Sequence, residues 1–121
     1  MNNLFFFDTY ALFEIVRGSP AYLPYVEALA ATTIFNLAEF NYGLKKEIDS
    51  HAADLLTEKF SLYLMEVTVQ DVQKAMSLKL KQKDLSIPDA VGYVVAQRLR
   101  VKFLTGDEDF KNLPDVEFVK K

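Results

Sequence analysis

Four carboxylates fall at comparable places along this chain. They are Asp8, Glu39, Asp89 and Asp107, with Asp109 just beyond the last. Asp8 follows the apolar run Leu4-Phe5-Phe6-Phe7. Asp107 and Asp109 follow Val101-Lys102-Phe103-Leu104 across Thr105 and Gly106. Asp89 stands in the first turn of a segment opened by Ser86 and Pro88, and Glu39 lies off the apolar stripe of its own segment. Carboxylates gathered in one pocket repel, and at least one is driven to hold a proton unless a cation is bound. Mg2+ and Mn2+ prefer oxygen ligands and keep several waters. Such ions activate water or clamp the oxygens of a phosphodiester. With no cysteine and a single histidine, His51, the chain is a poor match for zinc.

Each acid also has an ordinary structural reading. Asp8 can be a helix N-cap. Glu39 can be a solvated helix residue. Asp89 can close a capping box with Ser86. Asp107 and Asp109 can be turn residues. It is their joint placement, at strand ends and in early helical turns, that favours one pocket. Thr9 and Thr105 sit at strand exits, where a hydroxyl either orients a bound water or phosphate or satisfies local backbone. His51 reads as surface. Lys45, Lys46, Lys79, Lys81, Lys83, Arg98 and Arg100 are candidates for phosphate contact, though most read as solvated faces.

Positioning these residues requires strands that alternate with helices. Asn2–Phe7 is apolar on both faces, as suits a covered parallel strand. Further strands are expected at Ala30–Thr33, Leu62–Val67, Val101–Leu104 and Val116–Val119. Helices are expected at Tyr10–Arg17, from Ser19 and Pro20 as N-cap and N1 or instead from near Pro24 through Leu29, and over Ile34–Ile48 with Leu37, Phe40, Leu44 and Ile48 inward. Gly43 would give clearance beside Glu39. Ser50 would cap a helix over His51–Phe60 that packs Leu55 and Leu56. Thr68 and Asp71 open a helix with Val72, Ala75 and Met76 inward, and Ser86 opens the most apolar helix, through Leu99. The alternation predicts an α/β fold, and right-handed crossovers would bring the strand C-termini to one edge.

The 121 residues predict one domain, residues 1–121, and half of them are apolar, enough for a core. A net charge of -3 carries no overall basic signature, although a locally basic rim stays open. No signal peptide and no run approaching the ~18 apolar residues of a membrane helix is seen, so a soluble cytoplasmic protein is expected.

Four segments together resemble the PIN-domain family, and within it the small VapC-like ribonuclease toxins. They are Phe5–Thr9 (FFFDT), Asn36–Gly43 (NLAEFNYG), Ser86–Ala90 (SIPDA) and Phe103–Phe110 (FLTGDEDF). The resemblance implies a three-layer α/β/α sandwich with a mainly parallel sheet of four to five strands. It implies that Asp8, Glu39, Asp89 and Asp107 form the metal-binding and catalytic set, with Asp109 accessory and Thr105 the small hydroxyl residue before the last acids. It also implies Mg2+ or Mn2+, an RNA substrate, a cognate antitoxin partner and commonly a homodimer. Tyr10 departs from the pattern, since an Asn often follows the Asp-Thr pair. A PIN-like module that binds RNA or protein without cutting is the alternative. Receiver-like or haloacid-dehalogenase-like phosphotransfer is disfavoured, because Tyr10 stands where a second acid is needed.

Overall fold

A computed structural model of the chain describes residues 3–121. Four short strands form one parallel sheet: β1 (Leu4–Phe7), β2 (Leu29–Ala31), β3 (Lys102–Thr105) and β4 (Val116–Phe118), in the order β2-β1-β3-β4. The helices are α1 (Thr9–Arg17), α2 (Ile34–Glu47), α3 (Ser50–Phe60), α4 (Val69–Lys81) and α5 (Ile87–Leu99).

Strand side chains alternate between two cores, which makes the molecule an α/β/α sandwich. Phe6, Ala31 and Phe103 face a core with Ala75 of α4 and Ala90, Val91, Val95 and Ala96 of α5. Phe7, Ala30 and Leu104 face the other, with Ala11 and Leu12 of α1, Leu37, Phe40 and Leu44 of α2, and Ala53 and Phe60 of α3. Covering on both faces is why β1 is apolar at every position. Gly92 lets α5 approach β1 and α2 closely: a Cβ there would stand 2.9 Å from the Phe6 ring and 3.1 Å from Asn36 Oδ1.

Several expectations are corrected. Leu62–Val67 is not a strand. Ser61–Tyr63 is a 3-10 turn, and only an isolated bridge joins Leu64 to Thr32. Leu62 is exposed, and although Met65 and Val67 pack against the first core, the segment makes only that one bridge to β2's end and adds no fifth strand. Pro20–Tyr25 is a 3-10 helix with Pro24 inside it, and Leu29 opens β2 by pairing with Leu4 rather than ending a helix. Thr33 caps α2 instead of extending β2, and Asp49, not Ser50, caps α3. Ile48, Leu55 and Val72 are exposed. A Cβ on Gly43 would meet the Phe13 ring at 2.4 Å, so the clearance serves helix packing of α1 on α2 rather than Glu39. Residue Asn2 of the expected first strand lies outside the described residues. Among the described residues, no helix is long and apolar enough to cross a membrane.

Candidate metal centre

The sheet order reverses between β1 and β3. The chain leaves β1 towards β2 on one side and leaves β3 towards β4 on the other. Loops diverge at such a point and open a crevice beyond the strand C-termini. Asp8 and Asp107 stand there, immediately after β1 and just beyond β3.

Asp8 is almost fully buried. Its Oδ1 accepts the Ala11 N–H at 2.8 Å as the N-cap of α1, and its own N–H donates to the Leu104 carbonyl at 3.3 Å. The capping role expected from sequence is therefore real, but it does not account for the electrostatics. Burial pushes the Asp8 carboxyl well above the usual range, and the charges of Asp89 and Asp107 push it further. A hydrogen bond with Thr105 and the Ala11 amide oppose this only in part. The buried Thr105 hydroxyl also accepts the Asp107 N–H at 3.0 Å, so one side chain ties the two strand exits together. Asp107 in turn accepts the Asp109 N–H at 2.9 Å. Asp109 itself is exposed, and burial, Asp107 and Asp84 raise its carboxyl.

Asp89 reaches the crevice from the first turn of α5. It closes a capping box, accepting the Ser86 N–H at 3.1 Å while its own N–H donates to Ser86 Oγ at 3.1 Å. Burial raises its carboxyl to about 6 against the Ser86 hydrogen bonds, and Glu39 and Asp107 add to the rise.

Glu39 is placed by a network that sequence reasoning only partly saw. Thr9 Oγ1 donates to Glu39 Oε1 at 2.8 Å and accepts from Asn36 Nδ2 at 3.3 Å. Thr33 Oγ1 in turn donates to the buried Asn36 Oδ1 at 2.7 Å. Asn36 was not singled out, although it lies three residues before Glu39, one helical turn away and so on the same face; that spacing was the available signal. Tyr10 packs against Gly106, whose added Cβ would stand 2.3 Å from the Tyr10 ring, and the Tyr10 hydroxyl accepts the Lys121 N–H at 3.2 Å. It is a packing residue at the β3 exit.

The donor chemistry fits a hard divalent cation. Every side chain offered is a carboxylate, and the charges acting most on Asp8 and Asp89 are those of other carboxylates. Among the described residues, no three of these groups stand close enough to share one ion directly. The fit is thus one of ligand type and field, as suits an ion that keeps much of its water.

Most of the candidate cations are engaged elsewhere. Lys45 pairs with Asp54, Lys46 lies over the Tyr42 ring, and Arg98 clasps Asp71. Arg98 is therefore structural. His51 is exposed, as expected.

A family model of the PIN domain matches residues 5–116. No curated protein matches the sequence. Solved structures that resemble the chain include the Mycobacterium tuberculosis toxin VapC20, which cleaves the sarcin-ricin loop. It is 18% identical with a TM-score of 0.78, over 95% of this chain and 98% of that one. A toxin-antitoxin complex from Klebsiella pneumoniae is 23% identical with a TM-score of 0.72, over 92% and 93%. VapBC2 from Rickettsia felis, bound to a promoter DNA fragment, is 14% identical with a TM-score of 0.71, over 98% of each chain. At these identities the likeness is one of fold.

Proposed function

The chain belongs to the PIN domain family, and on that premise we propose that it is a Mg2+- or Mn2+-dependent endoribonuclease, the toxin of a toxin-antitoxin pair. The observation that carries this reading is that Asp8 and Asp89, at the reversal of the sheet, are both raised by burial and by neighbouring carboxylates, with Asp107 acting on each. Uncompensated buried charge of this kind is costly to the fold and is relieved by a cation.

Asp8, Glu39, Asp89 and Asp107 would hold the ion, with Asp109 accessory at the edge. When bound, the ion supplies charge stabilisation to the phosphate oxygens and lowers the pKa of water. The protein's own part is positioning. Thr105 holds Asp8 and Asp107 in mutual register. Thr9, backed by Asn36, holds Glu39 Oε1 and leaves Oε2 to orient the attacking water and accept its proton. The reading includes an antitoxin protein and a second copy of the chain as partners. Exposed apolar side chains at Ile34, Leu62 and Leu64, and separately at Val69 and Leu80 on α4, leave surface for such contacts.

The test is cleavage of a mixed RNA pool with Mn2+ by the parent and by Asp8→Asn. The variant is expected to lose at least ~100-fold in rate; equal rates would reject the assignment. The wide spacing of the acids favours one competing reading, a module that binds without cutting. That reading predicts no heat of Mn2+ binding at millimolar ion.

A further inference from the structure

The structure assigns a second part of the substrate groove to the C-terminal end of α4 and the loop that joins it to α5: Lys81 and Lys83 hold a backbone phosphate of the RNA next to the scissile one. This rests on the proposed RNA-cleaving reading of the acidic pocket.

A cleft of about 230 Å3 is lined by Lys81, Gln82, Lys83, Asp84, Leu85 and Asp109. Asp109 joins this cleft to the acidic pocket through its N–H donation to Asp107. The loop is built rather than loose. Leu85 is buried, and its N–H donates to the Gln82 carbonyl at 3.1 Å. Lys79 spends its ammonium group on the loop, donating to the carbonyls of Lys83 at 3.3 Å and Leu85 at 2.6 Å. The loop then runs directly into Ser86 and the capping box that holds Asp89. The two lysines and a pocket acid therefore share one short, braced segment.

Lys81 and Lys83 are exposed, and among the described residues neither forms an ion pair. Arg17, Lys45, Arg98 and Lys120, by contrast, are all paired with carboxylates. A phosphodiester strand entering beside Asp84, Asp89, Asp107 and Asp109 meets repulsion that a metal ion at one point offsets only locally. Unpaired ammonium groups on the rim offset it one step away. Lysine serves this role as a point charge that grips phosphate without reading the base.

The experiment uses the full chain and a fluorescein-labelled, mixed-sequence single-stranded RNA. Binding is read by anisotropy in EDTA across a salt series, and cleavage by kcat and KM with Mn2+. The double variant Lys81→Gln/Lys83→Gln is compared with the parent and with Lys74→Gln, an exposed lysine elsewhere on α4. About tenfold weaker binding at low salt is expected for the double variant. The slope of log affinity against log salt should be shallower by roughly 0.7, the value for one phosphate contact on a single strand. KM should rise by a similar factor with kcat within about twofold, and Lys74→Gln should match the parent. Unchanged affinity and slope, or an equal loss in Lys74→Gln, overturns the inference while leaving the nuclease reading in place. A parent that binds RNA through these lysines but cleaves none rejects the nuclease reading instead.

Discussion

Asp71 and Asp89 occupy the same local position in consecutive helices. Each is the third residue of its helix and closes a capping box, Asp71 with Thr68 and Asp89 with Ser86. The bonds are nearly superposable: each carboxylate accepts its cap residue's N–H, at 2.9 and 3.1 Å, and each amide donates to the cap hydroxyl, at 3.0 and 3.1 Å. Their ionisation nevertheless moves in opposite directions. Burial raises Asp71, but the hydrogen bonds and charge of Arg98, with those of Thr68, outweigh it and the net shift is downward. Burial raises Asp89 too, and there the nearby charges are Glu39 and Asp107, so it stays up at about 6. One aspartate has its counter-ion built into the fold, on the Nε and Nη2 atoms of Arg98 at 3.0 to 3.2 Å. The other has only further carboxylates. The same motif is a structural clasp between α4 and α5 in one case and a carboxylate pressed by other carboxylates in the other.

Exchanging the two residues' fates should break the comparison most strongly. Asp89→Asn is expected to lower Mn2+-supported RNA cleavage by at least ~100-fold while leaving metal-free stability equal or higher, because a repelled charge is removed. Asp71→Asn should keep activity within a few-fold in the cold and cost about 2 kcal/mol of stability in denaturant melts. That is below the usual figure for a broken buried pair because Arg98 is partly exposed. A stable Asp71→Asn beside an unstable but active Asp89→Asn would end the distinction.

The pH dependence sharpens it. The folded-state pKa of Asp89 lies above its unfolded value, so its contribution to stability is fully present below about 4 and is lost as pH rises through about 6. Asp71 is lowered, so its contribution is present above its unfolded pKa and is lost as pH falls through the folded one. Metal-free melts should therefore show stability falling by on the order of 2 kcal/mol between pH 4 and 7. Millimolar Mn2+ should reverse that fall near neutrality, and Asp89→Asn should reduce it, leaving the part due to the raised carboxyl of Asp8. A parent melt with no slope in this window would contradict the raised pKa.

The smallest effect concerns the support of the pocket. Thr9→Val removes the hydroxyl that holds Glu39 Oε1 and meets Asn36. It should reduce kcat about tenfold and stability by about 1 kcal/mol, and Thr9→Ser should restore both. Full activity in the Val variant would mean that Glu39 needs no positioning.

Much of the scaffold was legible in the residues. The continuous apolarity of Leu4–Phe7 marks a strand covered on both faces, and Thr68/Asp71 and Ser86/Asp89 mark two helix starts that the structure contains. Leu62–Val67 misled because a short apolar run carries no information about whether a partner edge is available; Thr32 offers it one bridge. Gly43 misled because its close neighbour, Phe13, is thirty residues away in the chain. Asn36 stands in the Asn36–Gly43 segment without an assigned role, because an amide on a helix has no chemical signature until its partners, Thr9 and Thr33, are beside it.

By itself the sequence determined which residues are acids, which elements they end or begin, and that neither cysteine nor a histidine cluster competes for a metal. Local rules suffice for that, since caps, strand runs and turns depend on neighbours a few residues apart. The tertiary structure decided which of those acids share a field. It set Arg98 against Asp71 and set Glu39 and Asp107 against Asp89, by the packing of α4 on α5 and the reversal of the sheet between β1 and β3. Charge acts through space at short range, so two identical capping motifs acquire opposite chemistry only once the chain has folded around them.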